Sequence, residues 1–242
     1  MKGRIAGVAG AFGLALAIVL PASGARAQGA EAAAAAVLPT SIAKPAVAPV
    51  LAGTIAVPIP ARRFWDNWER ARRDASALPQ MQRLVAPALR MSRAGQIAYV
   101  QAAVTRAIKW RSDATQWGRH DYWASAEETL RSGYGDMEDR AIVKMQALRA
   151  LGTPTSDLYL TLARDTVAGP ETVLIVRDGR YYYVLDDTGG TPYRPEQRKE
   201  FQPVLTFGYG ASWVHQPVAR QSATAAAAGV GAGSAAASNG GH

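Results

Sequence analysis

The pattern of apolar residues changes period once, near Gly152-Thr153-Pro154. Upstream, apolar residues recur at spacings of three and four; downstream, they alternate. Residues 62–76 read as a helix with Phe64, Trp65 and Trp68 on one side, and 79–91 as a weaker helical stretch broken near Pro87. Over 94–110, Ile97, Val100, Val104 and Ile108 share one face. Ser125-Ala126-Glu127-Glu128 is a capping box. Asp136 caps a further helix running to Leu151, with Ile142, Met145, Leu148 and Leu151 as its buried face, and Gly152 and Pro154 stop it. Beyond it, Leu158, Leu160 and Leu162 alternate with Tyr159, Thr161 and Ala163 as a half-buried strand. Residues 172–176 and 181–185 are β-rich and flank Asp178-Gly179, a hairpin signal. Helices first and strands after predict an α+β fold, with N-terminal helices followed by an antiparallel sheet packed on the central helix that begins at Asp136. There is no internal repeat.

Both ends of the chain differ from this middle. Residues 1–27 have a cationic start, an apolar run to Leu20 and small residues at Ala25 and Ala27, which reads as a signal peptide cleaved after Ala27 rather than a membrane anchor. Residues 28–60 are rich in Ala and Pro and read as a flexible leader. The segment 219–242, mostly Ala, Gly and Ser, offers too little apolar surface to offset its ordering entropy. That leaves one domain, 61–218. Removing Lys2, Arg4 and Arg26 lowers the formal net charge of +8 to about +5. Arg62, Arg63, Arg70, Arg72 and Arg73 are interleaved with Asp66, Glu69 and Asp74, so they read as a solvated helix face, not a nucleic-acid surface. The expected location is periplasmic or secreted, with membrane contact only through an uncleaved signal. The chain has no cysteine, so stability must come from the core alone.

Four blocks recur in a fixed order between about Phe64 and His215: Tyr122-Trp123-Ala124, Gly135-Asp136-Met137-Glu138-Asp139, Ala147-Leu148-Arg149-Ala150-Leu151-Gly152, and Val184-Leu185-Asp186. Together they resemble the bacterial transglutaminase-like cysteine proteinases. The resemblance implies a papain-like, transglutaminase-type fold with a Cys at a helix N-terminus, a His on a strand and an Asp on the next strand. A helix N-terminus favours a thiolate, the His takes the thiol proton and the Asp orients the His. By that resemblance Met137 stands at the cysteine position and Glu171 at the histidine position, while Asp186 keeps the third. A thioether has no proton to lose, so the usual covalent chemistry is closed. The three positions are expected to lie together in space. The implied protein is a degenerate relative that binds an envelope protein or a peptide segment.

Other chemistry is open to the same residues. Glu171 and Asp186 are candidate carboxylates for an acid–base hydrolase. His120 and His215 have no serine in a nucleophile-elbow pattern. The resemblance extends to relatives that hold calcium through carboxylates flanking the cysteine, and Asp136, Glu138 and Asp139 match those positions. Hard oxygen ligands suit calcium, although Asp136 and Asp139 also serve as ordinary helix-start residues. No His/Cys spacing suits zinc. A third reading is a structural envelope protein whose low-complexity ends are spacers.

Overall fold

A computed structural model describes residues 47–218. Residues 1–27, read from sequence as a signal peptide, residues 28–46 of the expected leader and the segment 219–242 lie outside the described residues. In chain order the elements begin with strand β1 (Thr54–Ile59) and helices α1 (Trp65–Ala71), α2 (Pro79–Val85) and α3 (Arg93–Ala107). Next come the short strand β2 (Lys109–Trp110), helices α4 (Asp113–Trp117) and α5 (Ala126–Ser132), strand β3 (Tyr134–Gly135) and helix α6 (Met137–Ala150). Strands β4 (Leu158–Asp165), β5 (Gly169–Asp178), β6 (Tyr181–Leu185), β7 (Phe201–Phe207) and β8 (Ser212–Pro217) complete the domain. Among the described residues, no helix is long and apolar enough to cross a membrane.

Local chemistry explains most boundaries. Pro79 opens α2, where a missing N–H costs nothing. Ser92 caps α3 by accepting from the Gly95 N–H. Both halves of the Ser125/Glu128 capping box form at α5, which ends on left-handed Gly133. Asp136 caps α6 by accepting from the Asp139 N–H.

The six-stranded sheet has the order β1-β8-β7-β4-β5-β6, and every neighbouring pair is antiparallel. The β5–β6 hairpin turns at Gly179, whose φ of 60° suits glycine. One face of the sheet packs on α6 through Leu158, Leu160, Leu174, Val176, Leu185 and Phe207. The opposite face carries Tyr159, Ala163, Val173, Ile175, Val184, Phe201 and Trp213 beneath Leu51.

Three expectations need correction. The leader reading ran to residue 60, yet Thr54–Ile59 pairs along its whole length with β8, and Leu51 is fully buried. The helix-free sheet face needs a cover, and residues just upstream of β1 supply it. Second, β4 is buried on both sides rather than half-buried, because it is central and each face has its own core. Third, α6 buries every residue from Asp139 to Leu148, not one stripe. It is enclosed by α2, α3 and α5 on one side and the sheet on the other. Several of its polar residues therefore find partners inside the domain: Gln146 donates to the Ala71 carbonyl at 3.1 Å, Arg140 to Asp187 at 2.8 Å, and Lys144 to the Asp186 carbonyl.

Candidate functional site

The start of α6 is crowded with carboxylates. Gly135 lies so close beneath Asp139 that a Cβ there would sit 2.6 Å from the Asp139 Cβ, so only glycine fits. Asp139 is fully buried and accepts from the Ala124 N–H at 2.8 Å through Oδ1. Asp113, at the start of α4, accepts from the Tyr122 N–H at 2.6 Å through Oδ2. One oxygen from each of Asp113, Asp136 and Asp139 lies within 4.8 Å of the others. The second oxygens, Asp113 Oδ1 and Asp139 Oδ2, are buried and have no hydrogen-bond partner. Burial, with Glu138 and Asp113 nearby, pushes the Asp136 carboxyl up to about 8. Burial and the Asp136 charge push Asp139 up to about 8, and burial raises Asp113. Two buried carboxylates with orphaned oxygens beside a half-buried third cannot all stay ionised unless a cation or protons compensate them. The donor set is all hard oxygen and fits calcium.

This trio differs from the expected Asp136, Glu138 and Asp139. Glu138 turns toward the sheet and accepts from the Thr172 hydroxyl at 2.7 Å through Oε1, and burial pushes its carboxyl up to about 7. Glu138 still meets the Asp136 carboxyl and helps raise it, but it does not join the trio of mutually close oxygens. Asp113 takes the place because α4 brings it beside the α6 N-terminus. More than twenty residues separate it from Asp136, and its only local signal was that of a helix-start acid.

The hairpin β5–β6 positions the other two candidates. Its register pairs Leu174 with Leu185, so Asp186 leaves the end of β6 opposite Val173, two residues along β5 from Glu171. Asp186 is buried, and both of its carboxylate oxygens accept hydrogen bonds. Oδ1 accepts from Gln101 Nε2 at 3.0 Å, the Thr188 N–H at 3.1 Å and the Thr188 hydroxyl at 2.7 Å; Oδ2 accepts from Arg198 at 3.2 Å. Arg198 also donates to Asp165 at 2.5 Å and to the Tyr193 hydroxyl at 3.1 Å. Glu171 joins this cluster electrostatically. Burial pushes its carboxyl up to about 7; Arg198 opposes the rise, while Asp186 and Asp165 reinforce it. Its Oε1 is buried without a partner.

Sheet alternation separates Glu171 from the helix start. Leu174 and Val176 pack in the α6-side core, whereas Val173 and Ile175 pack in the other. Thr172, on the first of these faces, is the residue that meets Glu138. The structure thus gathers Glu171 and Asp186 around Arg198. Met137 is half-buried at the first position of α6, one residue from the Glu138–Thr172 contact. His215 lies in β8, where its ring nitrogens meet the hydroxyls of Thr54 and Thr206, each at 2.9 Å, far from any triad geometry. Arg198 was missed in the sequence because an arginine in a polar loop carries no local sign of what it will pair with.

No curated protein matches the chain. Among solved structures, it is similar to Legionella pneumophila LapG at 21% identity, covering 65% of this chain and 90% of that one with a TM-score of 0.48. For calcium-bound Legionella pneumophila LapG the values are 23%, 62%, 87% and 0.49. For a putative cysteine protease from Cytophaga hutchinsonii they are 14%, 60%, 55% and 0.35. The family described as bacterial transglutaminase-like cysteine proteinase matches residues 61–191, a span that takes in α1 to α6, β4 to β6 and both carboxylate clusters. Because that match covers more than half of the 242 residues, the chain belongs to the bacterial transglutaminase-like cysteine proteinase family.

Proposed function

We propose that this protein is an exported, non-catalytic member of its family that acts by binding a protein or peptide in the cell envelope. The observation that carries the reading is the state of Asp186. In a working triad this carboxylate must be free to orient an imidazole. Here Gln101, Thr188 and Arg198 use its lone pairs, Glu171 replaces the imidazole and Met137 replaces the thiol. The same engagement counts against an acid–base hydrolase built on Glu171 and Asp186. A general base needs an accessible lone pair within hydrogen-bond reach of its proton, whereas Asp186 is buried and its less occupied oxygen, Oδ2, is held by the Arg198 guanidinium. Export is supported by the cationic and apolar start of the chain with small residues at Ala25 and Ala27.

A calcium site accompanies this reading, favoured by the orphaned oxygens of Asp113 and Asp139. Asp113, Asp136 and Asp139 would hold the ion, which would supply the positive charge that ties the 113–124 loop to the start of α6. Such an ion supports the shape of the domain and needs no role in bond breaking.

The experiment is capture followed by inspection. The full-length chain, immobilised, is exposed to a random peptide library with and without calcium, and bound peptides are eluted and weighed. Peptides recovered at their full mass and enriched over the library support the proposal. Recovery only as truncated products, with new termini at a consistent residue type, would show a working peptidase.

A further inference from the structure

The strand β2 pairs on one side with β3, the segment that leads into the start of α6, and among the described residues no strand pairs with its other edge. The N–H groups of Lys109 and Arg111 donate inward to the carbonyls of Gly133 at 2.9 Å and Gly135 at 3.1 Å. Strand geometry then turns the N–H and C=O of the intervening Trp110 outward. They find no backbone partner among the described residues. The Trp110 side chain is 59% exposed although Ile108, two residues before it, is buried.

The two faces of this edge differ in chemistry. Lys109 is paired in register with Tyr134, and the Arg111 guanidinium lies 3.4 Å from the centre of the Tyr134 ring. Both cations therefore share one face, and Trp110 takes the other. Among the described residues, none of the ion pairs uses Lys109, Arg111 or the exposed Arg106 just upstream. An unpaired edge, an exposed tryptophan and uncompensated cations are each unremarkable alone. Their alternation along one short strand is what specifies a ligand.

We propose that the open edge of β2 docks an extended peptide segment with alternating acidic and apolar residues. Its backbone adds a strand to Trp110. Its acidic side chains lie on the Lys109 and Arg111 face, and its apolar side chain covers Trp110. The main-chain contact gives direction and the alternation gives selectivity. A nucleic acid would answer the cations but has no use for the outward N–H and C=O pair. This inference deepens the reading of the protein as a binder and rests on it.

The test uses the full-length chain and fluorescein-labelled acetyl-Thr-Glu-Val-Glu-Val-Glu-Thr-amide, followed by anisotropy at low and high salt. Three controls are a lysine-for-glutamate counterpart, a block version of identical composition with the glutamates adjacent, and a version with both valines N-methylated. The alternating acidic peptide should bind, weaken with salt, and lose about tenfold in affinity in Trp110→Ala, as a central aromatic anchor does. N-methylation should weaken binding on unaltered protein, which tests the backbone contact without relying on any variant folding. Lys109→Glu/Arg111→Glu should transfer the preference to the lysine peptide. Equal binding of the block and alternating peptides, or no change in Trp110→Ala, overturns the proposal. So does tighter binding of a thymidine oligonucleotide of matched charge. If the acidic peptide binds elsewhere on the protein, this surface is wrong but the binding reading survives. If the peptide returns cleaved by the unaltered chain, the reading itself has failed.

Discussion

Leu51→Ala should strongly destabilise the domain, although Leu51 lies outside the residues that match the family. The side chain is fully buried on the helix-free sheet face, in the cluster formed by Tyr159, Val173, Ile175, Val184, Phe201 and Trp213. The cavity left by truncation has rigid walls, since these residues sit on hydrogen-bonded strands and cannot collapse freely. A buried Leu→Ala change of this kind costs about 3 kcal/mol. For a domain of this size, that corresponds to a fall in Tm of roughly 6–12 °C. Deleting everything before Ala61 should cost more, because β1 and its pairing with β8 go too. Thermal unfolding by circular dichroism, with the unaltered chain alongside, measures both. If Leu51→Ala melts within about 2 °C of the parent, or if the chain starting at Ala61 is equally stable, then residues 47–59 are not part of the folded unit.

Other perturbations give distinct readouts. Burial pushes the His215 imidazole down to about 4 from an ordinary 6.5, so the folded state holds it neutral. The unfolded chain takes up that proton first, so this group's share of stability is complete above about pH 6.5 and is lost as pH falls toward 4, about 3 kcal/mol in all. His215→Gln should therefore show a shallower loss of stability between those pH values than the parent; parallel curves would refute the assignment. Millimolar calcium should raise the melting temperature of the chelator-treated protein, by an amount corresponding to about 2.7 kcal/mol when calcium is at a hundred times its Kd. Asp113→Asn should abolish that shift while Glu138→Gln keeps it; the opposite pattern would restore the grouping expected from sequence. Gly135→Ala should destabilise the α6 start and weaken any calcium effect, because its Cβ would sit 2.6 Å from the Asp139 Cβ.

What could be read in the sequence was whatever has a local cause. The Ser125/Glu128 box, the Asp136 cap and the Asp178-Gly179 turn each encode their geometry within a few residues, and each is present. Strand β1 was hidden because Pro58 and the alanines of a low-complexity context mask its alternation, and its partner β8 lies at the far end of the domain. The second core was hidden for the same reason. Leu158 to Asp165 looks half-buried until Leu51 arrives from more than a hundred residues away. At the candidate site, Met137, Glu171 and Asp186 were expected from sequence to lie together, and the structure gathers Glu171 and Asp186 while sheet alternation turns Glu171 away from the helix start. The convergence of Asp113 on the helix start and of Arg198 on three carboxylates could not be read in the sequence, since both are long-range contacts between polar residues with many possible partners.

The central claim is that the chain binds without cutting, and the most direct measurement is turnover. The unmodified full-length chain, with calcium, is incubated with a broad panel of unstructured peptides, and product masses are followed for a day beside an Asp186→Ala control. The account predicts intact peptides throughout, and also for Met137→Cys/Glu171→His, because Arg198, Gln101 and Thr188 still occupy the Asp186 carboxylate and leave the new imidazole unoriented. Cleavage by the unmodified chain that disappears in Asp186→Ala would contradict it.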